Sequence, residues 1–314
     1  TPLPGGSFIA PSMVSSGTQY WVTAYDGSDG LLYEVIPGLS VTFAGPYIVS
    51  SGPGVTDIDF DGTNLWTFNI TGTLFQIDPG APAAPLNFLP LGVPLPTCVR
   101  ADTDGSHYAD TNPRVFVVAG PLLYKIKTVG VPIVDGAPLA ILGGGVAMTV
   151  GGGFLWVFAS SGFVYQVDPE PLALTGLSFD FSTIIPGPNS IDYDTVNDQL
   201  LLTGKDGSDN IVVLPVDTGL IPIAPPFTLE SLGVNSNYNG FIPNRPSFGS
   251  GFYWIADPQT NVVGGAAFRV NLLTYVLEEI ASKVLEYSTV GGDLAGPIDN
   301  ATVIRLQTTP VVGT

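Results

Sequence analysis

Positive charge is nearly absent from this chain: 314 residues carry 9 Lys plus Arg against 27 Asp plus Glu, a formal net charge of −18. Phosphate backbones and anionic lipids are bound by basic patches, and the sequence has none, so nucleic-acid partners and membrane-surface attachment are excluded. Charged residues make up 11% of the chain, less than half of the usual ~25%. The surface is therefore a neutral one stripped of cations rather than an acid-coated halophilic one. Cys98 is the only cysteine and His107 the sole histidine. An internal disulfide, a thiolate metal cluster and a multi-histidine site are all ruled out. A Gly-x-Ser-x-Gly elbow is missing, and Gly143-Gly144-Gly145 and Gly151-Gly152-Gly153 lack the Lys and helix of a phosphate loop. No apolar run reaches the roughly eighteen residues of a membrane-spanning helix.

The chain has turn formers and apolar residues in plenty, with 39 Gly, 29 Pro and a hydrophobic fraction of 45%. It also has an internal repeat. Leu65-Trp66-Thr67-Phe68, a Gly72 turn and Leu74-Phe75-Gln76-Ile77-Asp78-Pro79 return ninety residues later as Leu155-Trp156-Val157-Phe158, Gly162 and Val164-Tyr165-Gln166-Val167-Asp168-Pro169. Each copy reads as a β-hairpin leaving its sheet at a proline. The Trp position marks a register at Trp21, Trp66, Phe116, Trp156, Leu201 and Trp254, with gaps of 45, 50, 40, 45 and 53 residues. A period of forty to fifty residues made only of short strands is the spacing of β-propeller blades.

A short alternating strand precedes each hairpin, as in Asp57-Ile58-Asp59-Phe60-Asp61 and Ser190-Ile191-Asp192-Tyr193-Asp194, and a Pro-rich outer strand follows it. The expected fold is all-β, a six-bladed β-propeller of four-stranded antiparallel blades, with residues 1–314 as one domain. Seven blades is the alternative if 285–310 forms a further unit with the N-terminal strand. The helix-like stretch 273–285 is read as the outer strand of the sixth blade and 301–306 as the closing strand, with 1–6 and 308–314 as terminal arms.

The pattern Asp57-x-Asp59-x-Asp61-Gly62 matches the first half of a calcium loop, but Phe68 stands where a bidentate Glu is required. Strand alternation followed by an Asp-Gly turn explains the same residues and is the preferred reading. The cation-site alternative takes Asp57, Asp59, Asp61 and Asp192 as ligands, with calcium as the ion; otherwise no cofactor is expected. The loops Asp26-Gly27-Ser28-Asp29 and Asp206-Gly207-Ser208-Asp209 read as turn chemistry. His107, in the loop 102–110, is not expected to be catalytic. The tryptophans and the series Tyr33, Phe75, Tyr124, Tyr165, Phe268 are repeat positions, hence core between blades. Asn69-Ile70-Thr71 and Asn300-Ala301-Thr302 are N-glycosylation sequons.

Together these hairpins resemble the blades of the broad β-propeller group of bacterial and archaeal secreted proteins. The WD40, kelch and Tyr-Trp-Thr-Asp signatures are missing. Lactonase-type propellers hold a channel metal with acidic and Asn side chains, so the resemblance implies that part for Asp57, Asp59 and Asp192.

A chain starting at Thr1 without Met fits a mature secreted product, and an extracellular, cell-surface or virion-surface location is expected. So little charge on so much apolar residue implies exposed apolar patches, which mark protein contacts. The functional expectation is therefore a non-enzymatic repeated subunit of a filament, sheath or surface lattice, a homo-oligomer or homopolymer built through propeller faces and arms. The competing classes are a calcium-dependent lactonase-like hydrolase and a glycan- or peptide-binding module.

Overall fold

The structure, a computed structural model, describes residues 12–16, 19–25, 28–36, 42–52, 54–93, 96–104, 106, 108–208, 210–228, 247–249, 252–257, 265–271 and 276–285. His107, both terminal arms, the expected closing strand 301–306, Asn300 and the stretch 286–310 lie outside the described residues.

Six antiparallel sheets follow one another along the described chain. The first orders β1 (Met13–Ser15), β2 (Tyr20–Tyr25), β3 (Asp29–Ile36) and β4 (Thr42–Ser51) side by side. The second contains β5 (Val55–Phe60), β6 (Leu65–Asn69), β7 (Thr73–Ile77) and β8 (Asn87–Pro90). The third contains β9 (Pro96–Asp102), β10 (Arg114–Ala119) and β11 (Leu122–Lys127). Its outer position is split between two short strands that both pair with β11, β12 (Ile133–Val134) and β13 (Leu139–Ala140).

The fourth sheet contains β14 (Gly145–Gly151), β15 (Phe154–Ala159), β16 (Phe163–Pro169) and β17 (Leu172–Asp180). The fifth contains β18 (Gly187–Asp194), β19 (Gln199–Lys205), β20 (Ile211–Asp217) and β21 (Phe227–Thr228). The sixth contains β22 (Ser247–Gly249), β23 (Phe252–Asp257), β24 (Gly265–Asn271) and β25 (Val276–Leu285). Within the helix-like stretch 273–285, the described residues 276–285 are the outer strand β25, as the repeat implied. The chain divides into two compact units, residues 57–236 and residues 1–56 with 237–314.

The packing in the larger unit explains why the second strand of each sheet reads as an unbroken apolar run. Trp66 and Phe68 of β6 pack on Val99, Val115 and Val117 of the third sheet. Phe116 and Val118, on the opposite face of β10, pack on Met148, Leu155 and Val157 of the fourth. Trp156 and Phe158 then pack on Ile191, Leu200 and Leu202 of the fifth. Successive side chains of a strand point to opposite faces. A strand with a sheet on each side must therefore be apolar at every position, not at every other one. Tyr124 and Tyr165 also join these cores, and Phe75 is buried, as is Tyr33 in the smaller unit. The side chains of Trp254 and Phe268 lie outside the described set.

The two repeat copies share turn chemistry. Gly72 and Gly162 have φ of +84° and +89°, and each N–H donates to the carbonyl three residues back. A Cβ on Gly72 would stand 1.8 Å from the carbonyl oxygen of Val93, so only glycine fits there. The closing Asp is an Asx turn in both copies: Asp78 Oδ1 accepts the N–H of Gly80 and Asp168 Oδ1 that of Glu170. Only the first copy leaves its sheet at the proline. In the second, Pro169 still pairs with Leu172, and the chain turns directly into β17. The Asp206 loop is likewise turn chemistry, its Oδ1 accepting from Ser208 and Asn210. Asn69 of the first sequon is buried and its Oδ1 accepts from Thr71 and Thr73, so the residue belongs to the turn itself.

Candidate functional site

The acidic strand β5 faces the edge of the neighbouring sheet. β9 is the first strand of its sheet and has β10 on one side only, which leaves alternate N–H groups unpaired on the other. Asp57 Oδ2 accepts from Val99 N at 2.8 Å and Asp59 Oδ2 from Ala101 N at 2.8 Å. Asp57 Oδ2 also takes Arg100 Nη1 at 2.7 Å, in an ion pair buried on both sides. Asp61 Oδ1 accepts from the N–H groups of Thr63 and Asn64, and its Oδ2 accepts the indole N–H of Trp66 at 2.7 Å. Asp192, on β18, accepts from Tyr193 N at 2.9 Å and Thr149 Oγ1 at 3.4 Å.

The four carboxylates expected as metal ligands are therefore placed as acceptors at a sheet edge and in a turn. Among the described residues, no three His, Cys, Asp or Glu side chains gather in a group able to hold a metal ion.

The indole bond recurs: Trp21 donates to Ser16 Oγ and Trp156 to the carbonyl of Gly151, each five residues back, as Trp66 does to Asp61. The tryptophan thus fixes the turn between the first and second strands of its sheet while filling the core.

The scarce cations are concentrated in the third sheet, which holds Arg100, Arg114, Lys125 and Lys127. Arg114 is buried; its Nη2 forks onto Asp110 at 2.9 and 3.0 Å and its Nε reaches Asp135 at 3.1 Å. Lys125 Nζ donates to Glu170 at 2.8 Å. The Arg114 guanidinium lies 4.6 Å over the ring of Tyr108, whose hydroxyl donates to Asp102. Burial, followed by the Asp102 carboxylate, holds that phenol well above its ordinary pKa. Asp102, Tyr108 and Asp110, in the loop that carries His107 in the sequence, are held down by this network.

A cleft of about 400 Å³ opens between the second and third sheets, lined by the turn 61–64, Gln76, Leu86, Asn87, Pro113 and residues 128–130. A relay of carboxamides forms its floor: Asn87 Nδ2 donates to Gln76 Oε1 at 2.8 Å, and Gln76 Nε2 donates to the Thr128 carbonyl at 3.2 Å. The sequence reading missed this site. A buried Gln recurring at the same repeat position, Gln76 and Gln166, is the signal that marks it, since Gln166 Oε1 is also used, by Thr175.

No family model and no curated protein matches the chain. Among solved structures, the WD40 domain of Toxoplasma gondii coronin superimposes with a TM-score of 0.60 at 10% identity, covering 88% of this chain and 72% of that one. A candidate 6-phosphogluconolactonase from Bacteroides uniformis gives 0.59 at 14% identity over 85% and 83% of the two chains. One from Bacteroides fragilis gives 0.59 at 14% over 88% and 85%.

The fold is a β-propeller. At such identities the likeness carries the propeller fold and none of the chemistry built on it. The blades are the consecutive sheets described above, so the carboxylates of β5 cap the exposed edge of the next blade, and the cleft opens between two adjacent blades of the larger unit.

Proposed function

We propose that this propeller is a non-enzymatic, extracellular or virion-surface building block that associates with copies of itself. The observation that carries this reading is where its exposed apolar residues stand. Outermost strands of successive blades bear large side chains in solvent: Ile48 on β4, Phe88 on β8 at 67% exposure, Ile133 on β12, and Leu174 and Phe179 on β17. Scattered apolar residues are ordinary on a protein surface, but their recurrence on blade after blade at the same structural position marks contact surface. An apolar contact of ~1,000 Å² contributes on the order of 25 kcal/mol before association costs.

β17 adds a second element. It is nine residues long and without proline, an open outer edge able to pair with another strand. β25 is likewise long and free of proline, whereas β4 carries Pro46, β8 ends at Pro90, and β12, β13 and β21 have two residues each.

Sedimentation velocity and electron microscopy across a concentration series test the reading. The protein is expected to form multimers, and Phe88→Lys with Phe179→Lys to return it to monomer with its thermal midpoint unchanged. A wild-type protein that stays monomeric at high concentration overturns the proposal. The competing hydrolase reading, which the Bacteroides likeness keeps in view, is tested by lactone and ester hydrolysis with calcium added. Calcium-dependent turnover lost in Asp59→Asn would replace the non-enzymatic reading.

A further inference from the structure

We propose that the cleft between the second and third blades is a binding site for an uncharged saccharide unit, independent of any self-association. Its volume, about 400 Å³, falls in the roughly 300–1,000 Å³ range of small-ligand sites. Most of its polar groups are already used within the protein, which leaves a defined residue of unspent valences. The Asn64 carboxamide has no hydrogen-bond partner among the described residues and lines the cleft half-buried, offering two donors and an acceptor. The neighbouring Thr63 hydroxyl is exposed and unpaired among the described residues, and Asn87 retains its carbonyl oxygen after donating to Gln76. Carboxamides and hydroxyls that both donate and accept match vicinal hydroxyls, which do the same.

The charge of the site narrows the class further. No Lys or Arg lines it, and its one carboxylate, Asp61, already accepts three hydrogen bonds. A phosphorylated or carboxylated sugar would enter without a counter-charge, at a desolvation cost a neutral one avoids. Leu86 and Val129 stand exposed at the lips and supply apolar surface for the C–H face of a pyranose. A peptide is disfavoured because the free groups are side-chain amides and a hydroxyl from the 61–64 turn and the start of β8, not backbone groups repeating along a strand edge.

Saturation-transfer NMR on the full chain tests this with a panel of neutral hexoses, N-acetylhexosamines and their disaccharides. Gluconate 6-phosphate and a capped neutral tetrapeptide complete the panel. At least one neutral saccharide is expected to bind saturably. Asn64→Leu, which removes the amide without touching an internal side-chain bond, is expected to weaken it about tenfold or more at an unchanged unfolding midpoint. Asn64→Ala, smaller and unable to block the cleft sterically, should show the same direction. Binding of no neutral saccharide, binding indifferent to both substitutions, or binding of only the anionic sugar or the peptide overturns the proposal.

Discussion

Replacing Arg114 with Ala is expected to destabilise the 57–236 unit by about 3–5 kcal/mol, the cost of removing one partner from a buried ionic cluster. The side chain is 4% exposed and makes five hydrogen bonds, two to Asp110, one to Asp135 and one each to the carbonyls of Asn112 and Pro113, in addition to its cation–π contact with Tyr108. Without it, Asp135 keeps only the longer 3.6 Å contacts with Lys125 and Lys127, and the loop 102–112 loses its anchor. Urea unfolding followed by tryptophan fluorescence gives the number, and a loss under about 1 kcal/mol would show the network to be surface decoration.

The pH dependence has a definite sign. Partial desolvation raises the Asp110 carboxyl, but the Asn112 N–H and the Arg114 guanidinium outweigh it and hold the group below its ordinary value. A folded-state pKa below the unfolded one gives stability that is complete above the unfolded carboxylate range, near ~4, and is lost as pH falls through the folded value. Arg114→Ala should therefore flatten the acid limb of the stability profile.

Trp66→Ala is expected to cost about 3–5 kcal/mol, the range for truncating a large buried aromatic. Trp66 is fully buried against the third blade. The informative comparison is with phenylalanine. Trp66→Phe keeps most of the volume but takes a donor from the carboxylate of Asp61, whereas Trp156→Phe takes one from a neutral carbonyl at Gly151. Bonds to charged groups are worth about 1.5–3 kcal/mol net and neutral ones about 0.5–1.5, so Trp66→Phe should be the more damaging by roughly 1 kcal/mol. Equal losses at the two sites would mean that volume alone matters there.

The hairpins, their glycine turns and the inter-blade aromatics were legible in the sequence because each is set by residues close together in the chain, whereas the exit at the proline held for Pro79 and not for Pro169. The destination of Asp57 and Asp59 was not, since the N–H groups that donate to them lie 42 residues on. The calcium-like spacing has a plain physical origin. Carboxylates at i and i+2 of a strand share a face and are separated by one pleat repeat, and so are alternate N–H groups on the edge of a facing strand. The same spacing that seats an ion therefore seats a sheet edge. Arg100 is the discriminating residue: in a chain with 9 cations, one placed on the next inner strand answers an acidic strand. The cleft was hidden for a different reason, because Asn64, Asn87 and Thr128 meet only through the packing of two blades.

The cores between blades carry one further consequence. Each is made half from the forward face of one sheet and half from the rear face of the next, so a blade is not a portable part. A duplicated or transplanted blade brings two unmatched halves: the Trp156 face would have to meet a surface shaped for Phe116, or Val115 and Val117, shaped for Trp66 and Phe68, would have to meet the face of Phe116 and Val118. Exchange by recombination is conservative only when the crossover falls inside a blade and leaves both interfaces with their original partners. The ancestry of such a chain is then recorded in matched pairs of facing residues, Trp66 with Val115 and Trp156 with Leu200, more faithfully than in the hairpins themselves.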